Sequence, residues 1–357
     1  MSQFHKLTIA DIKNETTDTV SVAFSLNENQ KSSFNYISGQ YLTLSFVING
    51  MKERRSYSLC SSMHSNELMR VAVKKVENGL VSTYINEQLN VGDQVDVMVP
   101  QGNFLLEANA DASKRYVAFA AGSGITPIMS MIKSVNSVEP TSKFHLFYGN
   151  KDADNTIFKS DIDGIVNSNI NVSYIYSRDS NAQQPFYGRL DSDKVNTLLR
   201  ANLEYLKADA FFICGPEKMI MDVSSTLIDL GVKKENIHFE LFTTPVLMLD
   251  SQEESKNEMD GDFDGDAVVT VICDDEEFEF ELSADGDTIL DAAMDNDADV
   301  PFSCKGAVCC TCKAKVLEGK VTMDANYALS DKEVEDGFVL GCQAHPATKY
   351  VKLDFDL

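Results

Sequence analysis

Four cysteines near the C-terminal end constrain this chain more than any other feature. Cys304, Cys309 and Cys312 follow the order C-x4-C-x2-C, and Cys342 lies a long gap further on. This is the plant-type ligand spacing of a [2Fe–2S] cluster. Two irons and two sulfides form a small rhomb that takes four thiolates. One tight loop wraps three sides, and the fourth ligand comes from a distant segment, so the fold must return the chain to the loop. Gly306 and Ala307 are small enough to let backbone N–H groups approach the sulfides. A structural zinc site also takes four thiolates, usually from two C-x2-C pairs, and only one such pair is present here. Cys310 interrupts the loop and is read as a non-ligand.

The chain has 357 residues, enough for two to three domains. No apolar run reaches the roughly 18 residues of a membrane span, and residues 1–18 lack the basic and apolar regions of a secretory leader. Eight cysteines with a cluster-like subset fit a reducing cytoplasm and exclude a disulfide scaffold. The net charge is −24, and it is uneven: residues 248–357 hold 28 acidic and 8 basic side chains. That segment offers either a solubilising surface or a docking face for a basic electron acceptor. A nucleic-acid partner is not expected, because a phosphate backbone needs a basic patch.

The pattern predicts a multidomain chain. Residues 1–108 carry short alternating runs rich in Val, Phe, Thr and Leu, and predict an antiparallel β-barrel. Residues 109–247 alternate apolar strands with helical runs and predict an α/β domain with a parallel sheet. Residues 248–265 are polar and acidic and predict a linker. Residues 266–357 predict two strands turning at Asp274–Asp275, a helix over 288–298 and the cluster loop. Together these form an α+β, β-grasp-like unit with a mixed sheet on one helix.

Several motifs lie upstream of the cluster. R-S-Y-S, Arg55–Ser58, ends a strand. A flavin needs a cation at its pyrophosphate, an aromatic plane against its ring and hydrogen-bonding groups near N5. Arg55, Tyr57 and Ser58 suit those tasks, although ordinary strand residues look the same. G-L-V-S, Gly79–Ser82, precedes a helix over 82–89 whose N-terminus can hold phosphate; Ser82 also suits an N-cap. G-S-G-I-T-P, Gly122–Pro127, joins a strand to a helix, and its glycines allow close approach of a dinucleotide. C-G-P, Cys214–Pro216, does the same after another strand, so both turns project from the carboxyl edge of the sheet. Cys214 is alternatively a buried thiol, and Cys60 and Cys273 are read as packing residues.

In this order the motifs resemble those of the ferredoxin–NADP reductase superfamily, and the C-terminal module narrows the resemblance to reductase components of multicomponent oxygenases. C-K-G-A-V-C-C-T-C, D-A-N-Y-A-L and G-F-V-L-G-C-Q-A-H-P carry the likeness, which covers essentially the whole chain. It implies FAD held by Arg55, Ser56, Tyr57, Ser58, Gly79 and Ser82, and a nicotinamide nucleotide held by Gly122, Gly124, Thr126, Pro127, Gly215 and Pro216. Cys214 would lie near the nicotinamide and Phe242 near the flavin, with Tyr57, Ser58 and Cys214 as the catalytic set. The cluster would sit on Cys304, Cys309, Cys312 and Cys342. The implied partner is the oxygenase component of a multicomponent monooxygenase, a diiron oxygenase. A Rieske oxygenase, a hybrid-cluster protein or a role as non-catalytic electron carrier are the alternatives. Ser177, Arg178 and Arg189, with Tyr187, suit the 2′-phosphate of NADPH; the alternatives are that Arg178 pairs with Asp179 or a surface carboxylate, and that NADH is the donor.

Overall fold

The computed structural model describes residues 4–179, 183–246 and 263–357. Six strands form the first sheet: β1 (Phe4–Thr16), β2 (Thr19–Ser25), β3 (Tyr41–Ile48), β4 (Met51–Ser58), β5 (Met69–Lys74) and β6 (Gln94–Met98). All pairings are antiparallel, in the order β4-β3-β6-β1-β2-β5. A bridge between Leu59 and Val71 joins the two edges and closes the expected barrel. β1 lies between β6 and β2 in this sheet. Its Leu7 and Ile9 alternate with more exposed neighbours and are fully buried in the barrel core with Val22, Leu44 and Val97, which is the period-two signature of a half-buried strand.

The second sheet is parallel: β7 (Arg115–Ala121), β8 (Lys143–Asn150), β9 (Ile170–Tyr176), β10 (Ala210–Cys214) and β11 (Ile237–Glu240), in the order β11-β10-β7-β8-β9. β7 and β10 are nearly continuous buried runs, as expected of strands covered on both faces. Two apolar clusters, one around Ile128, Met131 and Phe144 and one around Phe119, Val195 and Ile220, lie on the two sides. The order reverses between β7 and β10. That break is the topological switch point, where ligands of open α/β sheets bind.

The third unit contains β12 (Asp266–Cys273), β13 (Glu276–Ser283), β14 (Lys313–Glu318), β15 (Val321–Met323), β16 (Phe338–Leu340), β17 (Ala344–Pro346) and β18 (Tyr350–Asp354). The main sheet runs β13-β12-β18-β14-β16, with β12 and β18 parallel and the other pairs antiparallel. The turn falls at Asp274 and Asp275, both at positive φ (53° and 63°), as a two-residue type I′ hairpin requires. The helix Ile289–Asp295 covers the sheet through Ile289, Leu290 and Ala293. The expected linker 248–265 lies outside the described residues except for Phe263, Asp264 and Gly265. No helix among the described residues is long and apolar enough to cross a membrane.

Truncating Leu7 tests the contribution of β1. Leu7→Ala removes a fully buried side chain, and the unfolding free energy should fall by about 2–5 kcal/mol. A urea midpoint equal to wild type would show that β1 does not close the core.

Candidate functional site

The two turns expected to meet a dinucleotide lie side by side at the switch point. Gly122 has φ +54°, and a Cβ added at Gly124 would lie 2.1 Å from the carbonyl oxygen of Cys214. Only glycine lets the backbones of the β7 and β10 turns approach this closely. The Thr126 hydroxyl donates to Ser123 O at 3.1 Å, and Thr126 and Pro127 are buried in the first turn of the helix Ile125–Val138. Pro216 caps the helix Glu217–Asp229, and a Cβ on Gly215 would crowd Met219 at 2.6 Å. Two helix N-termini therefore face the same edge, where their dipoles favour anions.

Ser177 and Arg178 follow β9 at that edge, held by N–H bonds to Asn150 O (2.9 Å) and Lys151 O (2.8 Å). A parallel bridge between Tyr176 and Tyr187 brings the segment carrying Arg189 beside them. Arg178, Tyr187 and Arg189 are all exposed. At the barrel, Gly79 rather than Ser82 is the N-cap of the helix Leu80–Glu87. Ser82 lies within the first turn and is buried, and its hydroxyl accepts from Val76 N–H (3.1 Å) and donates to Gly79 O (3.3 Å). The N-cap reading of Ser82 is therefore corrected: its side chain ties down the preceding loop.

A cleft joins all three units. It is lined by Arg55, Ser56 and Ser58 of β4, by Glu240 and Phe242 at the end of β11, and by Cys304 and Cys309 of the cluster loop. Arg55 donates to Arg54 O (2.7 Å) and pairs with Glu53 (3.1 Å). Tyr57 packs against the barrel core, and burial raises its phenol. Ser58 donates to Glu240 at 3.2 Å. Glu240 escaped the sequence reading, although it is the lone carboxylate in I-H-F-E-L-F. Burial pushes it up to about 8, against the opposing hydrogen bond from Ser58. Cys214, one strand away, is fully buried; desolvation first, and Glu240 second, raise its thiol.

The cysteine loop has the chemistry of a sulfur cradle. Lys305 and Ala307 sit at positive φ (50° and 63°), an uncommon conformation for residues with a Cβ that turns successive N–H groups inward. Gly306 N–H lies 3.3 Å from Cys304 Sγ. Cys309 Sγ donates to Cys304 Sγ at 3.1 Å, and this bond, with N–H groups of Gly306, Val308 and Cys309, draws Cys304 down to about 6 despite its burial. Cys312 and Cys342 lie together as a second pair of free thiols, and this contact lowers Cys342 and, with burial, raises Cys312. Among the described residues no three such groups converge as on a single metal ion. Two pairs of thiols suit two irons, each taking two thiolates, better than one zinc ion, which needs all four at a point. The Cys310 thiol instead donates to Ala328 O at 3.4 Å. Gly306 has a further constraint: a Cβ there would lie 1.7 Å from Thr244 Oγ1, on the segment that follows β11.

Three family models match the chain: an oxidoreductase FAD-binding domain over residues 6–105, an oxidoreductase NAD-binding domain over 119–225 and a 2Fe-2S iron-sulfur cluster binding domain over 271–347. The chain is 38% identical over 359 residues to one of the subunits of the 1,2-phenylacetyl-CoA epoxidase of Escherichia coli, covering 100% of this chain and 99% of that one. It is 28% identical to the ferredoxin reductase component of 3-ketosteroid-9-alpha-monooxygenase from Rhodococcus rhodochrous, covering 98% and 96%. The structure of phthalate dioxygenase reductase shares the fold at a TM-score of 0.59 and 22% identity, covering 98% of both chains.

The raised carboxyl of Glu240 has a testable consequence. Above the ordinary carboxylate range the unfolded chain has lost this proton, while the folded chain keeps it up to about pH 8. Stability should therefore fall as pH rises through that window. Glu240→Gln should remove that part of the fall, so that its urea midpoint gains on wild type between pH 5 and 9. Parallel pH profiles would show that Glu240 is not protonated in the folded protein.

Proposed function

This chain belongs to the family of ferredoxin reductases that join FAD-, NAD- and [2Fe–2S]-binding domains, and we propose that it carries electrons from NADPH to a diiron oxygenase, the epoxidase of phenylacetyl-CoA in phenylacetate catabolism. It is an NAD(P)H-dependent oxidoreductase using FAD and a [2Fe–2S] cluster. The observation that carries the reading is the cleft in which β4, the end of β11 and the cluster loop share one wall. The choice of acceptor rests on the relative named as part of a phenylacetyl-CoA epoxidase, whose 38% identity exceeds the 28% of the ketosteroid reductase component. A cytoplasmic setting accords with the reduced thiols the cluster needs.

Bound FAD lets a two-electron hydride donor feed a one-electron cluster. The chain's own residues hold the parts in place. Gly124 and Cys214 bring two turns together so that the nicotinamide end of the nucleotide can lie against the cleft. The N-termini of the helices Ile125–Val138 and Glu217–Asp229 meet its phosphates. Arg55 offers a cation to the cleft, and Ser58 and Phe242 line it beside the half-buried carboxyl of Glu240. Cys304, Cys309, Cys312 and Cys342 hold the cluster, with the inward N–H groups of residues 306–309 stabilising the thiolates. Ser177, Arg178 and Arg189 meet the 2′-phosphate of NADPH.

Two variants test the ligand set. Cys309→Ser should lose the visible iron–sulfur absorption, and Cys310→Ser should retain about two irons per chain. The reverse pattern would overturn the assignment. Donor choice is tested by Arg178→Ala, which should raise KM for NADPH about tenfold or more and leave NADH nearly unchanged, because a charge-assisted contact is lost only with NADPH. A wild-type kcat/KM higher for NADH would refute the NADPH reading.

A further inference from the structure

Ser56 belongs to the motif expected to hold flavin, and its hydroxyl is engaged by protein partners. It donates to Ser303 Oγ at 2.8 Å, next to Cys304. It also meets Thr43 Oγ1 at 3.0 Å, and Thr43 Oγ1 meets Thr311 Oγ1 at 3.1 Å. Thr311 also neighbours the phenol of Tyr41 and the thiol of Cys309. Tyr41 completes the series by accepting the backbone N–H of Cys310 at 2.8 Å. Three barrel hydroxyls, on Tyr41, Thr43 and Ser56, thus interlock with two on the cluster loop, Ser303 and Thr311. Tyr41, Thr43, Ser303 and Thr311 are buried.

The strand geometry explains the arrangement. β3 and β4 are antiparallel with Thr43 opposite Ser56, so both side chains rise from the same face. That face is met by the two flanks of the loop, residue 303 before the first cysteine and residues 310–311 between Cys309 and Cys312. The Cys310 N–H points away from the inward-turned groups of the loop. Without Tyr41 it would be buried and unpaired, which carries the full desolvation penalty of the group.

We propose that the hydroxyls of Tyr41, Thr43 and Ser56 form a latch that holds the cluster loop against the flavin barrel, and that Tyr41 is a positioning residue for the transfer of single electrons from flavin to cluster. The inference rests on the cofactor reading above. The latch orders the last gap of the route without touching the nucleotide turns, so it acts on the step out of the flavin and not on the step into it.

Tyr41→Phe deletes only the hydroxyl, and Thr43→Val replaces the central hydroxyl with a group of the same shape. Both variants are loaded with FAD and cluster, and their contents are measured first. In stopped flow with NADPH, bleaching of the flavin should keep its wild-type rate, while reduction of the cluster should slow several-fold. Hydrogen exchange at the Cys310 amide should quicken about two- to tenfold in Tyr41→Phe, the loss expected for one hydrogen bond. Exchange is also read in the cluster-free protein, so it decides on the latch even if wild type fails to take up a cluster, an outcome that would sink the cofactor reading instead. Wild-type cluster reduction and unchanged exchange in both variants would overturn the proposal. Flavin loss, or an equal slowing of flavin reduction, would also overturn it, by assigning these hydroxyls to the flavin.

Discussion

A loop that turns its N–H groups inward toward four sulfurs leaves its outer face without regular backbone partners. The rest of this structure answers that constraint. Residues 304–312 pair little with one another; their outward groups are met by neighbours instead. Tyr327 N–H donates to Ala307 O, Gly341 N–H to Cys312 O, and Cys310 N–H to the Tyr41 phenol. A buried, unpaired polar group is costly, so the loop is complete only where the barrel and the returning C-terminal segment close over it. Cofactor chemistry thus dictates contacts between domains.

The same loop is held from further sides. Arg54 is buried between the rings of Phe4 and Phe302, with its guanidinium on Val300 O (2.9 Å) and Asp299 (2.8 Å). Asn103 of the barrel reaches Ala328 O at 3.0 Å. That carbonyl also accepts the Cys310 thiol, which keeps the spare cysteine turned from the cradle. Val308 and Tyr327 pack against the apolar cluster of the parallel-sheet unit, and Thr244 presses on Gly306. The adjacent arginines divide the work: Arg54 anchors the third unit, and Arg55 stays at the cleft rim.

Part of the acidic surplus lies on an edge strand. On β13, Glu277, Glu279 and Glu281 alternate with Phe278, Phe280 and Leu282, so a row of exposed carboxylates backs an apolar face. Alternation along an edge strand explains their placement, and charge there also discourages edge-to-edge pairing.

Cysteine spacing, the Asp274–Asp275 turn and the strand–glycine–helix order were legible because each is a local rule: ligand geometry, positive φ, close backbone approach. They determined the class of each unit, the cysteine loop and the glycine turns at the carboxyl edge of the parallel sheet. Glu240 and Tyr41 were not legible as site residues, because nothing in their own segments sets them apart until β11 and β3 are brought to the loop from more than 60 and 260 residues away. Ser56 and Ser82 show the same dependence on the fold. Their motifs pointed to a cofactor, and the tertiary structure gave both hydroxyls protein partners. A hydroxyl bonds to whatever the fold places within about 3 Å, so its partner is decided by packing between distant segments.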